Sequence, residues 1–452
     1  MANTEFQRLP AEELYQTELD ALIAAEQDPV PAGWRMSPRS VLTYITGGTA
    51  KGVAITPKYM GNRRLVEIAI ATLVTDRALL LIGEPGTAKS WLSEHLCAAV
   101  NGDSTKVVQG TAGTTEEQIR YSWNYAMLIA QGPSREAMIK SPIYRAMETG
   151  TIARMEEISR CASEVQDALI SILSEKRVSV PELAFELPAK KGFSVIATAN
   201  TRDKGVNEMS AALKRRFNIV VLPAPADIET EIEIVRTRVE QLSGSLGLRA
   251  QAPGAELVEN VVTIFRELRG GVTLDKSQKL KTTSGVLSTA EAISLLANGM
   301  ALAASFGDGV IRDGDLAAAL QGAVVKDEEK DAVAWKEYLE NVMAGCKLLC
   351  IELTVGDGFN FYGGAGIFSL DFRFRLFKQL HPCALVVAGI PYFDGPQRFR
   401  HTHCRHAGQY QRNRQQPYQS LFHRGYLLFV YWVNQNTDRM SVDFSEWPAR
   451  PG

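Results

Sequence analysis

Apolar positions recur along this chain with two different periods, and the place where one gives way to the other divides it. At the start, Tyr15, Leu19, Leu22 and Ile23 share one stripe, the spacing of a helix over 11–25 that begins after Pro10 and is ended by Pro29 and Pro31. Ser37 followed by Pro38 signals a second, short helix. The run Gly47-Gly48-Thr49-Ala50-Lys51-Gly52 imitates a phosphate loop, but no hydroxyl follows its lysine and no helical pattern follows it, so it reads as a flexible connector. From about residue 57 to 225, short apolar runs alternate with amphipathic stretches. The pattern predicts a helix over 64–75, strands over 78–82, 106–109, 152–155 and 194–199, a helix over 165–173, a hairpin over 177–187 that turns at Pro181, and a last strand over 219–222. Such alternation is the mark of a parallel sheet covered by helices on both faces.

Beyond Asp227, a good helix-capping residue, the period becomes helical almost throughout. Ile228, Ile232, Val235, Val239 and Leu242 lie on one face, and further helices are predicted over 257–268, 289–305, 316–325 and 332–343. From about residue 346 the regular period disappears into a mixture of Arg, Gln, His, Cys and aromatic residues. The expected organisation is therefore a helical arm and linker (1–54), an α/β domain (55–225), an all-helical lid domain (226–345) and an unassigned tail (346–452). The abrupt change of composition suggests that the tail is poorly structured or not the native C-terminus, as after a shifted reading frame.

Composition narrows the class. Over 452 residues the hydrophobic share is 45%, the charged share 22% and the net charge −2, values of an ordinary globular protein with no bulk basic excess to make nucleic acid or an acidic membrane the default partner. No apolar run approaches the roughly 18 residues of a membrane span, and no secretory leader is apparent. The six cysteines are scattered without paired C-x-x-C spacing, which suits reduced thiols and a cytoplasmic setting. The tail is basic and holds five of the six histidines. Its His401, His403, Cys404 and His406 are metal-ligand types, but their spacing matches no assignable metal site.

The chemistry concentrates at Gly83-Glu84-Pro85-Gly86-Thr87-Ala88-Lys89-Ser90, between the predicted strand 78–82 and a helical pattern carried by Leu92, Leu96, Ala99 and Val100. A tight loop that opens a helix surrounds an anion with backbone N–H groups. Lys89 adds a full charge beside the β- and γ-phosphates of a nucleotide, and Ser90 offers a hydroxyl to Mg²⁺. Ala88 stands where the usual pattern has glycine, a substitution that ordinary helical dihedrals at this position would tolerate. Hydrolysis further requires a metal carboxylate, a water-positioning group and a γ-phosphate contact. Glu156 and Glu157 end the predicted strand 152–155, the first placed to hold the metal with a side chain one methylene longer than the usual aspartate, the second to polarise water. Asn200 ends the strand 194–199 at the edge that faces the ligand crevice of a parallel sheet. Arg216, in Leu213-Lys214-Arg215-Arg216-Phe217, is an arginine that a neighbouring subunit's nucleotide can use.

The ordered set GEPGTAKS, ARMEEISR, EVQDALISILSEKRV, VIATANT and ALKRRF resembles AAA+ ATPases of the MoxR-like branch, close to the dynein-related group, over about residues 55–345. The alanine before the loop lysine is also similar to that branch. The resemblance implies Lys89 and Ser90 as Walker A lysine and hydroxyl, Glu156 and Glu157 as the Walker B pair, Asn200 as sensor 1, Arg216 or else Arg215 as the arginine finger, and the hairpin 177–187 as the pre-sensor hairpin. It further implies ATP and Mg²⁺ as cofactors, a hexameric ring, and chaperone-like remodelling of a protein, often with a partner that carries a von Willebrand A domain. One part departs from the family. Ser288-Thr289-Ala290-Glu291-Ala292 lacks the sensor 2 arginine expected near the start of a lid helix; Ser288 and Glu291 fit a capping box instead, and Lys281 is a substitute by placement. A nucleotide-binding switch with little turnover and a nucleic-acid remodelling ATPase are the alternative readings.

Overall fold

The computed structural model describes residues 8–200, 207–246 and 251–342; the tail from 346 and its histidine cluster lie outside them. In chain order the elements that matter here are α1 (Pro38–Thr46), α2 (Arg63–Val74), β1 (Ala78–Gly83), α3 (Lys89–Asn101), β2 (Val107–Gln109), α4 (Pro142–Thr149), β3 (Ile152–Glu156), α5 (Ser163–Glu175), β4 (Ser194–Asn200) and β5 (Phe217–Val221). They are followed by α6 (Ile228–Leu246), α7 (Ala255–Gly270), α8 (Thr289–Phe306), α9 (Asp313–Val324) and α10 (Asp331–Asn341).

The five strands form one parallel sheet in the order β5-β1-β4-β3-β2. Strand β1, flanked by β5 and β4, is apolar from Ala78 to Ile82 because both of its faces are covered. Ala78 and Leu80 enter one core with Met155, Ala197 and the α5 residues Leu169 and Ile172. Leu79 and Leu81 enter the other with Leu92 and Leu96 of α3, Val66 and Ile70 of α2 and Tyr44 of α1. The register sets Asn200 opposite Gly83 and Gln109 opposite Glu156, so the loop after β1 and the ends of β3 and β4 share one edge.

Four elements differ from the sequence expectation. The run 47–52 is not a flexible connector: Gly48–Ala50 pairs antiparallel with Val53–Ile55, and Lys51 (φ 48°) and Gly52 (φ 80°) supply the left-handed turn. The last strand begins two residues earlier than expected, with Phe217 opposite Ala78. Between β2 and α4 lies an insertion the periodicity does not reveal, in which Tyr121–Trp123 pairs antiparallel with Met138–Lys140 around the helix Tyr125–Gln131. The first helix is also broken, at Tyr15, into Ala11–Leu14 and Gln16–Ala24.

The chain divides into two compact units. The sheet, α6, most of α7 and the first half of α8 belong to the first. There the buried Glu231 of α6 accepts from Arg266 (3.0 Å) and Arg269 (2.9 Å) of α7 and from the hydroxyl of Thr289 in α8 (2.7 Å). In the second unit, Asp331 at the start of α10 accepts backbone N–H bonds from Ser284, Lys326 and Asp327, Trp335 and Tyr338 stack, and Lys281 pairs with Glu337. Among the described residues, α8 is the one helix long and apolar enough to cross a membrane, which exceeds the expectation from sequence; core helices of soluble proteins share that property, and Leu296 and Met300 are buried.

Candidate functional site

The loop between β1 and α3 is shaped by residues that leave no room for larger ones. A Cβ on Gly83 would lie 2.6 Å from both the Leu222 carbonyl and the Thr87 hydroxyl. At Gly86 the backbone is left-handed (φ 81°), and a Cβ would meet Ser288 at 2.3 Å. Ala88 does not take helical dihedrals as expected: it sits in the left-handed region (φ 62°, ψ 25°) immediately before α3, a conformation that favours glycine. Lys89 is buried and donates to the carbonyls of Gly83 (3.0 Å) and Glu84 (2.8 Å). Thr87 closes the turn with a 2.9 Å hydrogen bond to the Glu84 carbonyl.

Ser90, the first turn of α3, reaches β3. Its hydroxyl donates to Glu156 Oε2 at 2.6 Å, and the hydroxyl of Thr198 on β4 donates to the same oxygen at 2.7 Å. Glu156 Oε1 accepts from Ser93 (2.6 Å) and from Arg154 Nη2 (2.9 Å). Burial pushes the Glu156 carboxyl upward, but the Arg154 guanidinium and the three hydroxyls outweigh it and hold the group below the usual carboxylate range. Glu157 leaves the strand in a left-handed conformation (φ 55°), its N–H bonded to the Thr198 hydroxyl (3.0 Å). This turn brings its carboxylate to Asn200, whose amide donates to Oε1 (3.1 Å) and Oε2 (2.9 Å), with Arg160 3.4 Å away. Ser90 with Glu156, and Glu157 with Asn200, are therefore brought together from α3, β3 and β4.

Arg216 is placed elsewhere. Its guanidinium donates to the Ser174 hydroxyl (2.9 Å) and the Ala212 carbonyl (2.7 Å). The capping box is present: Ser288 N–H donates to Glu291 (2.8 Å) and Glu291 N–H to the Ser288 hydroxyl (3.3 Å). Sequence reasoning missed Thr198, Ser93 and Arg154. Thr198 and Arg154 each stand two residues before a chosen residue on the same strand, and that spacing puts them on its face. It also missed Trp91, which Arg238 of α6 covers at 3.6 Å and whose indole N–H bonds the Lys58 carbonyl. Burial lowers the Lys58 ammonium to about 8 against the opposing pull of its partner Glu18.

The residues fit the groups the sequence implies. The glycine cradle, closed to any Cβ, with a lysine at its rim suits a triphosphate, and the donors beside Ser90 are hydroxyl and carboxylate oxygens, the set a hard cation such as Mg²⁺ takes.

Fold and site together define an ATP-binding P-loop ATPase of the AAA+ class. Residues 78–217 match the family model of the AAA domain of the dynein-related subfamily, and residues 229–345 match that of the C-terminal domain of YehL-like AAA+ ATPases. The uncharacterised protein YehL of Escherichia coli K12 is 42% identical over 346 residues, 76% of this chain and 94% of that protein. The chain belongs to the YehL-like, MoxR-like AAA+ ATPases. An uncharacterised protein of Staphylococcus haemolyticus, SH1500, is 29% identical over 146 residues, and the chain spans 55% of its length. Among solved structures, NtrX of Brucella abortus in complex with ATP aligns at 15% identity and a TM-score of 0.41, over 63% of this chain and 62% of that one. The ADP complex of NtrX aligns at 14% identity and a TM-score of 0.42, over 76% and 71%.

Proposed function

We propose that this chain hydrolyses MgATP in a site shared between neighbouring subunits of a ring, and that it couples the cycle to remodelling of a protein partner. The observation that supports the reading most is the meeting of Ser90 with Glu156 and of Glu157 with Asn200 at the edge where the loop opens. In this reading Lys89 and the loop N–H groups hold the triphosphate, Ser90 and Glu156 hold the metal, and Mg²⁺, when bound, neutralises charge on the phosphate oxygens. Glu157 orients and polarises the attacking water, and Asn200 holds Glu157 in place beside the γ-phosphate. Arg216, half-buried just past the short helix Ala211–Lys214, serves the next subunit's nucleotide. Rings are common in the AAA+ class; a homohexamer, a nucleotide domain over 55–225 with a lid over 226–345, a cytoplasmic setting and a partner with a von Willebrand A domain complete the proposal. Nucleic acid is not the substrate on this reading.

The test is steady-state ATPase of Glu157→Gln alongside nucleotide affinity. The expected result is a rate at least about a hundredfold lower with affinity kept, since the general base contributes about 10²–10⁴. An unchanged rate would remove Glu157 from this role. A wild-type protein that binds ATP in Mg²⁺ without turnover would instead make the chain a nucleotide switch, the reading favoured by the missing arginine at Ser288–Ala292.

A further inference from the structure

Arg154 is a buried cation for which the mechanism above has no use. It stands two residues before Glu156 on β3, in a stretch whose other members, Ile152, Ala153 and Met155, are buried apolar residues, and it is 8% exposed. Nothing about a strand in a sheet covered on both faces calls for a guanidinium there. Its partners stand on β3, on α3 and in the loop between α3 and β2. Nε and Nη2 donate to Glu156 Oε1 (3.1 and 2.9 Å), Nε also to the Ser93 hydroxyl (3.0 Å), Nη2 to the Ser90 carbonyl (3.1 Å) and Nη1 to the Ser104 carbonyl (3.2 Å). The Glu156 carboxylate is thereby split between two roles. Oε1 faces the guanidinium and Ser93, while Oε2 faces Ser90 and Thr198.

The clamp has two consequences. It draws the longer glutamate side chain back from one oxygen, so that Oε2 alone is presented beside Ser90. It also pairs the Glu156 carboxylate beside Ser90 with a full positive charge in a poorly screened place, where charges act strongly on one another. A divalent cation at Ser90 then meets an ion pair of zero net charge rather than a free carboxylate, and its attraction comes mainly from the nucleotide phosphates. We propose that Arg154 determines the metal dependence of this site: by neutralising Glu156 from behind, it makes nucleotide binding depend little on divalent cation. The inference rests on the MgATP reading above.

Titration calorimetry of the full chain with ATP, in Mg²⁺ and in EDTA, gives the ratio of the two affinities, and Mn²⁺ binding to the ADP complex followed by electron paramagnetic resonance gives the metal affinity directly. Arg154→Met, which frees the carboxylate charge, is expected to raise both the ratio and the Mn²⁺ affinity by about tenfold or more, and Arg154→Lys to leave both near wild type. A ratio unchanged or lower in Arg154→Met overturns the proposal and makes Arg154 a structural tie between β3 and α3. Removing one partner of a buried pair can prevent folding, so the double variant Arg154→Met/Glu156→Gln, neutral like the native pair, provides a second measurement. Its ratio is expected to stay within about threefold of wild type; a fall of about tenfold or more shows Glu156 acting as a full charge in the native protein and also overturns the proposal. Failure of the wild type to bind ATP under either condition refutes the nucleotide reading itself.

Discussion

Ala88 holds its left-handed backbone against its own side chain. The conformation costs an L-residue about 1–2 kcal/mol, and a glycine would remove that cost while losing about 0.5–1 kcal/mol to its greater freedom when unfolded. Ala88→Gly is therefore expected to raise stability by about 0.5–1 kcal/mol in urea denaturation and to leave nucleotide affinity in place, because the loop keeps the same φ. A loss of stability would mean that the alanine methyl contributes packing that outweighs the strain. The sequence showed that this position departs from the pattern but not that it is strained, since strain depends on where α3 must begin relative to β1. Lys89, Ser90, Glu156, Glu157 and Asn200 were legible because each stands at the end of an apolar run or in a loop of fixed spacing. Arg154 and Thr198 were not, because a polar residue inside a buried strand has no outward sign of its partner.

At the scale of elements, Glu231 ties three helices together. It is 1% exposed and bonded to Arg266 and Arg269 of α7 and to Thr289 of α8, while Arg269 also caps the Leu287 carbonyl just before α8. Glu231→Ala would leave two part-buried guanidinium groups without their carboxylate, at a cost of about 3–5 kcal/mol. Thermal unfolding of the variant should show it, and Glu231→Gln should recover part of the loss. A melting temperature unchanged in Glu231→Ala would mean that water serves the arginines as well as the carboxylate does. The sequence analysis did not single out Glu231, although its place three residues after Ile228 and four before Val235 sets it at the edge of the apolar face of α6. The strands β1, β3 and β4 were legible because burial on both faces makes continuous apolar runs. The start of β5 was obscured by Asn218, and the insertion by the shortness of its strands and by a helix, Tyr125–Gln131, that buries none of its residues and so shows no stripe.

At the scale of the whole molecule, the placement of Arg216 away from Glu157 within one chain makes the ring testable by mixing. Arg216→Ala and Glu157→Gln should each be inactive alone as ring ATPases. Mixed and reassembled in equal amounts, they should recover about a quarter of the wild-type rate, because one interface in four then joins an intact Glu157 to an intact Arg216 from the neighbour. Mixed oligomers, detected by mass, that recover no activity would place the finger elsewhere. The order of the sheet has a further effect, during synthesis. The strand Ala78–Gly83, which lies between β5 and β4, leaves the ribosome long before either neighbour, since Ser194–Asn200 and Phe217–Val221 follow more than about a hundred residues later. At roughly 5–20 residues per second that delay is on the order of ten seconds. Throughout it the nascent chain carries the unpaired run Ala-Leu-Leu-Leu-Ile, the kind of segment that seeds aggregation, so the strand that launches the phosphate loop is the one that most needs shelter at birth.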